Sequence, residues 1–478
     1  MEPTPPNLTL PGNPHYQPKS LQKIFGYDNL YVPVGEVELA TLQVLGEIGV
    51  IPPETMALLR PPLLTRGITT TQVDEVERTV THHDIRAWVR LAQGHIPSSL
   101  ARWIHVPLTS YDPLDTARAL QFSRAYDEVL KPHIRDVVTI FAGLTRKFAG
   151  ELQIGRTHGQ HALPITVGFW LATILSRILY NVRMMKNCRN GLVGKISGAV
   201  GAYNAQVGLR IADMCGGKHF EARVLEKLGL QPAPISTQIL PPEPLAYFLF
   251  SCVMLSASLA QFGRDCRHLM RSEIGEIAES FEEGQVGSST MAHKRNPVNF
   301  ENLEGMWLRT KNEFGKVLDT LISEHQRDLV GSSVMRDFPI IVVNLTQQLT
   351  TLLRKNKQGV PFLSRITVDA KACKRNFDKS AKFILAEPIY IALQMVGYPG
   401  DAHELVNRKA VPMAQALDIP LIAAVEKIAE DDHDVGAALS EMPKSFIELF
   451  NTPEKYTGSA QEKAIEIARA AEAYLANG

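Results

Sequence analysis

Little in this 478-residue chain marks a secreted, metal-binding or nucleic-acid-binding protein. Its five cysteines (Cys188, Cys215, Cys252, Cys266 and Cys373) are scattered and odd in number, and no CxxC pair occurs. That pattern argues against a disulfide framework and for a reducing compartment with buried or incidental thiols. Net charge is zero, from 50 basic and 50 acidic residues. No single-sign field invites nucleic acid or an anionic membrane, and the short mixed charge runs suit solvated helix faces. No Gly-Lys-Ser/Thr ending supplies a phosphate-binding P-loop, and no Gly-x-Ser-x-Gly supplies a serine-hydrolase elbow. Residues 1–18 are proline-rich and polar, without the basic and apolar regions of a secretion signal. They read as a flexible arm on a cytoplasmic protein.

One long uncharged run is present. Residues 244–263 carry no charged side chain and include Leu245, Phe248, Leu249, Phe250, Val253, Met254 and Leu255. That length could span a bilayer. However, Ser251, Cys252, Ser256, Ser258 and Gln261 dilute it, and it runs into Arg264-Asp265-Cys266-Arg267 with helical character continuing. It reads as a helix buried on all sides within a bundle rather than as a membrane segment.

Helical signals dominate elsewhere. Stretches 113–150, 163–190, 242–284, 301–325 and 337–357 are long, and most repeat apolar residues at three-to-four spacing. Pro113, Pro164, Pro242 and Pro244 stand near their starts, where the first helical turn tolerates proline. The expected class is mostly α, with few short strands, no internal repeat, and an elongated bundle extended by oligomerisation. Three regions follow: 1–111, helical with breaks at Pro52-Pro53 and Pro61-Pro62; 112–362, the long helices; and 363–478, shorter helices broken at Gly397-Tyr398-Pro399-Gly400 and Ile419-Pro420.

The most informative stretch is Gly284-Gln285-Val286-Gly287-Ser288-Ser289-Thr290-Met291-Ala292-His293-Lys294-Arg295-Asn296-Pro297. Glycines give it backbone freedom, the paired serines a hydroxyl, and Lys294 and Asn296 donors. Pro297 discourages helix at its entry. By composition it is an interhelical loop; by content it could deliver a base together with an anion-binding cluster. A second stretch, Gly155-Arg156-Thr157-His158-Gly159-Gln160-His161-Ala162, sets Thr157 and His158 at a glycine-bounded turn. The HxxH spacing of His158 and His161 permits a metal, but no further cysteine or acidic partner stands nearby, and no metal is expected.

The first stretch resembles the signature loop of the fumarase/aspartase superfamily, Gly-Ser-Ser-x-Met-Pro-x-Lys-x-Asn-Pro, with Ala292 in place of the first proline. The second resembles the Arg-Thr-His-Gly-Gln motif of the adenylosuccinate lyase family. Further similarity to that family lies in Thr81-His82-His83-Asp84, in His105-Val106-Pro107-Leu108-Thr109-Ser110-Tyr111-Asp112 and in Gly194-Lys195-Ile196-Ser197-Gly198-Ala199-Val200-Gly201. It continues in Ser236-Thr237-Gln238-Ile239, and in His325-Gln326-Arg327-Asp328-Leu329 followed by Ser332 and Arg336.

The resemblance implies a fumarase/aspartase-like fold of three helical domains, whose long central bundle forms the core of a homotetramer with active sites shared between chains. The implied reaction eliminates fumarate from an N-succinyl substrate, without cofactor or metal. A proton leaves the carbon beside a carboxylate, and the carbanion carries extra negative charge on its oxygens. In the resembled scheme Ser288 is the general base. Lys294 and Asn296 supply the positive potential its alkoxide needs, and Ser289 and Met291 lie against substrate. The loop would close only over bound substrate. His158 protonates the departing nitrogen, a task suited to a side chain that ordinarily titrates near neutrality, and Glu301 is its carboxylate partner. His83, Asp84 and His105 bind or polarise substrate, and Thr109, Ser110, Thr157 and Gln238 hold the succinyl carboxylates. Arg327, Ser332 and Arg336 resemble a phosphate site.

Four departures from the family pattern stand out. An arginine-tyrosine pair is replaced by Gly26-Tyr27, within Ile24-Phe25-Gly26-Tyr27, and the arginine of Thr-Arg-His-Asp is His82. Both changes remove permanent cations from the expected nucleotide site. Pro107 replaces a glycine beside the carboxylate loop, and Ala292 loosens the signature loop. The implied partners are a small-molecule succinyl substrate and fumarate, with no nucleic acid and no membrane. Adenylosuccinate is the leading substrate, with a parallel purine-precursor step. The alternatives are another N- or S-succinyl substrate, in either direction, and a catalytically silent homologue.

Overall fold

In the computed structural model, residues 5–280 and 294–477 are described. Helices dominate, with three short two-stranded sheets among the described residues. The chain divides into two compact units. One is built from Met1–Asp136, Tyr180–Ala260 and Asn302–Leu353, the other from Val137–Leu179, Gln261–Glu301 and Arg354–Gly478.

The long helices fall largely where periodicity puts them. Tyr111–Arg124 continues through a π-helical turn, Ala125–Leu130, into Lys131–Lys147, and Pro339–Leu353 and Val298–Asp319 follow later. Two expectations need correction. Residues 163–166 are not helical: Gln160–Thr166 is a strand, Pro164 lies opposite Ile154, and the helix is Val167–Asn190. The helix expected to reach 284 is Glu243–Leu269, because the chain turns through Gly275 (φ 66°) into a strand, Ile277–Ala278, paired with Thr367–Val368.

In the first unit, the Val32–Glu47 helix drives Val34, Val37, Leu42, Val44 and Leu45 into a core shared with Trp88, Phe220 and Leu225. Thr69 and Gln72 form a reciprocal capping box at the Thr70–Val76 helix. The long helices of this unit are tied by buried amides. Asn181 Nδ2 donates to Ser258 Oγ (2.8 Å), and Gln348 Nε2 donates to the carbonyls of Leu303 (2.7 Å) and Ser256 (3.3 Å). Two serines of the uncharged run find partners in this core: Ser258 Oγ accepts from Asn181, and Ser251 Oγ donates to the Phe248 carbonyl (2.6 Å). That run is not buried on all sides, however. Phe248, Leu249, Cys252, Leu255 and Leu259 are buried, whereas Tyr247, Phe250 and Met254 form an exposed stripe at helical spacing.

The expected flexible arm is corrected as well. Leu10 is buried, the Tyr27 amide donates to the Thr9 carbonyl (3.1 Å), and the Asn7 amide donates to Asp28 Oδ2 (2.6 Å). Backbone pairing and one apolar anchor hold residues 7–10 against the first unit.

In the second unit, phenylalanines run as a ladder: Phe141 to Phe262 (4.9 Å between centroids), Phe262 to Phe300 (6.0 Å) and Phe300 to Phe362 (5.7 Å). They fix the start of the Val298–Asp319 helix. A separate core of Leu385, Ile389, Leu393, Val406, Ile422 and Val425 holds the short helices that follow.

Candidate active site

The predicted substrate-binding residues of the first unit, separated by hundreds of positions in sequence, form one connected cluster. His83 caps the N-terminus of the Asp84–His95 helix, its ring accepting from the Arg86 amide (3.4 Å). Its Nε2 lies 3.5 Å from Ser110 Oγ. The next residue, Tyr111, links onward: its hydroxyl is 3.3 Å from Ser332 Oγ, and the Arg327 guanidinium sits 3.6 Å above its ring. Arg327 also donates to Gln238 Oε1 (2.8 Å). Arg336 Nη2 reaches Asp84 Oδ2 (3.4 Å), which closes the circuit beside His83.

Buried carboxylates set this geometry, and sequence reasoning did not assign them. Glu38, in the middle of a helix, is buried and spends both oxygens on His105: Oε2 accepts from the backbone amide (2.9 Å), and Oε1 faces ring Nδ1 (2.7 Å). His105 has φ 69°, a conformation that the double clamp offsets. Asp112 is the second hub. Its Oδ2 accepts from the Thr109 amide (2.8 Å), and its Oδ1 accepts from the amides of Ser197 (3.1 Å) and Gly198 (3.2 Å) and from the buried ammonium of Lys195. The 105–112 loop and the 194–201 loop are thereby fastened together. Gly201 is required there: at φ 77°, a Cβ would lie 2.1 Å from the Ser236 carbonyl oxygen. The motif residues Asp112 and Lys195 were visible in sequence. Glu38 gave no signal, because nothing local distinguishes it from a solvated helix carboxylate.

In the second unit, Thr157 and His158 end a hairpin of Leu152–Thr157 and Gln160–Thr166. His158 (φ 53°) and Gly159 (φ 76°) both take positive φ, the geometry of a two-residue type I′ turn. The imidazole is therefore exposed at the tip of a paired ribbon rather than on a loose loop. Buried Glu276 anchors that ribbon. Its Oε1 accepts from Arg156 Nη2 (2.6 Å) and Asn376 Nδ2 (2.9 Å), and its Oε2 from Gln153 Nε2 (2.9 Å) and Arg156 Nη1 (3.1 Å). His161 is engaged elsewhere, with Nδ1 2.7 Å from Ser380 Oγ. Burial, then the nearby Arg156, holds its pKa below the usual imidazole range.

Glu301 is exposed in the first turn of the Val298–Asp319 helix, where the helix dipole favours a carboxylate. Among the described residues Glu301 and His158 form no ion pair. Glu279 caps that helix by accepting from the amides of Asn299 (2.8 Å) and Phe300 (3.0 Å), and burial pushes its carboxyl up. Lys294 is exposed and Asn296 half-buried. Ser288, Ser289 and Met291 lie outside the described residues.

A cavity of about 430 Å³ opens in the first unit beside this cluster. Asp84, Tyr111, Ser332 and Arg336 line it, together with Tyr27, the tyrosine of the altered arginine-tyrosine pair, and Tyr31, which sequence reasoning had not placed.

Comparisons with known proteins agree with this architecture. The family described as Lyase matches residues 67–310. Adenylosuccinate lyase of Pyrococcus horikoshii is 32% identical over 455 residues, 94% of each chain. That of Bacillus subtilis is 32% identical over 418 residues, 86% of this chain and 92% of the relative. Among solved structures, 3-carboxy-cis,cis-muconate lactonizing enzyme of Pseudomonas putida superposes with a TM-score of 0.77 at 22% identity, covering 96% of this chain and 98% of that one. A fumarate lyase from a Mesorhizobium species gives 0.77 at 20% identity over 94% and 97%. These two likenesses establish the shared fold.

Proposed function

The chain belongs to the lyase family of the fumarase/aspartase superfamily, and on that premise we propose that it eliminates fumarate from adenylosuccinate, releasing AMP. The parallel purine-precursor step would use the same machinery. The carrying observation is the convergence of four distant segments, 83–84, 110–111, 238 and 327–336, on one connected cluster.

In this reading Thr109, Ser110, Thr157 and Gln238 hold the succinyl carboxylates. Ser288 removes the proton beside one of them. Lys294 and Asn296 tolerate the charge of its alkoxide, and Ser289 and Met291 close against substrate. His158 delivers a proton to the departing nitrogen, supported by Glu301 from another chain. His83, Asp84 and His105 orient the substrate, with Glu38 fixing the His105 ring through Nδ1. Arg327, Ser332 and Arg336 meet the leaving group. No cofactor is required by this scheme.

A cytoplasmic homotetramer with shared sites belongs to the same proposal, as do three domains at 1–111, 112–362 and 363–478. Exposed Tyr180, Tyr247, Phe250 and Met254 on the long helices support the assembly, since such apolar stripes favour burial against another copy. A sizing measurement that returned a fully active monomer would overturn it.

Purified protein is expected to consume adenylosuccinate with stoichiometric fumarate release. Ser288→Ala is expected to lower kcat by about 10²–10⁴-fold, the range for a lost general base. Full activity in that variant would remove Ser288 from its role.

A further inference from the structure

Residues 279–280 and 294–301 flank the stretch of sequence that carries Ser288, and one buried carboxylate ties the two flanks together. Glu279 is 3% exposed and follows the Ile277–Ala278 strand. Its Oε1 accepts from the amides of Asn299 (2.8 Å) and Phe300 (3.0 Å), and its Oε2 accepts from Asn299 Nδ2 (2.7 Å). Twenty residues separate Glu279 from Asn299 along the chain. Each flank carries a second tether: Ser280 Oγ accepts from Arg365 Nη1 (3.0 Å), and Asn299 Oδ1 accepts from Arg354 Nη2.

The first turn of the Val298–Asp319 helix then has no amide to spare. The Val298 amide donates to the Asn296 carbonyl (2.9 Å), those of Asn299 and Phe300 to Glu279, and that of Glu301 to the Pro297 carbonyl (2.9 Å). An open helix start would offer such groups to an anionic ligand. Here a carboxylate of the same chain takes that place, so the turn serves as a fixed mount rather than as an anion site. The mount carries half-buried Asn296 and exposed Glu301. Phe300, also in this turn, is fully buried against Phe262 and Phe362, so the turn cannot rotate without withdrawing an aromatic ring from the core.

We propose that Glu279 is a positioning residue for the elimination, acting through Asn296 and Glu301 rather than on the substrate. It holds the amide where the alkoxide needs it and the carboxylate where the imidazolium needs it. This rests on the fumarate-eliminating reading above and assigns a support to two of its residues.

Glu279→Gln keeps the shape and one acceptor oxygen for the two amides, but sets its own NH2 against Asn299 Nδ2, donor against donor. Full-length variants are assayed for fumarate release from adenylosuccinate, well below their thermal midpoints. Glu279→Gln is expected to lower kcat by about 10–10²-fold while KM changes by less than about threefold, because the mount serves charge that develops only in the transition state. Adding Asn299→Asp gives the new NH2 an acceptor, keeps one for Arg354, and should return most of kcat. A folded Glu279→Gln variant with wild-type kcat overturns the proposal, as does a double variant no better than the single. Should Glu279→Gln not fold, Asn299→Ala removes one of the three donors and keeps both amides; its kcat should fall by about threefold to tenfold, and an unchanged kcat overturns the proposal equally. Amide exchange followed by mass spectrometry reads the clamp without turnover: Asn299 and Phe300 should exchange about tenfold faster in Glu279→Gln. Wild-type protein releasing no fumarate would sink the elimination reading, while unchanged exchange would sink the clamp separately.

Discussion

Replacing Glu276 tests how the exposed imidazole of His158 is held. The carboxylate is fully buried and its partner Arg156 is 15% exposed. Four hydrogen bonds converge on two oxygens, two of them from one guanidinium. Glu276→Gln keeps the shape but turns one oxygen into a donor, so two of the four contacts become donor against donor. Charge-assisted bonds are worth roughly 1.5–3 kcal/mol each, and breaking one side of a buried pair costs roughly 3–5 kcal/mol. A loss of about 4 kcal/mol should move the urea midpoint by on the order of 1 M, followed by circular dichroism. Because His158 is two residues beyond Arg156 at the hairpin tip, kcat should fall as well, by about 10²-fold for an ångström of misplacement. Combining Glu276→Gln with Arg156→Met leaves no buried charge and should restore part of the midpoint without restoring kcat. A single Glu276→Gln variant with an unchanged midpoint and full activity would refute this account of the hairpin.

Two further outcomes are expected. Glu38→Gln offers one acceptor where His105 uses two, and should lower kcat/KM by about 10–10²-fold through misplacement of the ring; wild-type kinetics with an unchanged thermal midpoint would show that the clamp is dispensable. Glu221 is held above its ordinary value of 4.5 by burial, despite donors from Ile196 and Tyr203. The folded chain thus binds this proton more tightly than the unfolded chain, and stability falls as pH rises from 4.5 through the raised pKa. Relative to Glu221→Gln, the wild type should gain stability as pH is lowered through that window and level off below it, as read by unfolding midpoints; an opposite slope would contradict the burial argument.

Local sequence determined a good deal. Apolar residues at three-to-four spacing specify helices wherever they recur, so the mostly α class and the long helices could be read directly. The segments carrying His83, Thr109, His158, Gln238 and Arg327 stood out because their residue types are dictated by the reaction they resemble. Backbone freedom could be read at Gly159, whose positive φ completes the hairpin turn. What sequence could not decide was partnership. Pro164 reads as a helix start, yet it lies in a strand because residues 152–157 pair across it. The polar 7–10 segment reads as an arm, yet Leu10 finds a core site. Glu38, Glu276 and Asp74 look like ordinary helix or loop carboxylates until folding places His105, Arg156 and Tyr27 against them. Periodicity and turn chemistry act over a few residues and are written in the chain. The cost of an unpaired buried charge is settled only when contacts distant in sequence close, and here those contacts aim the side chains of the site.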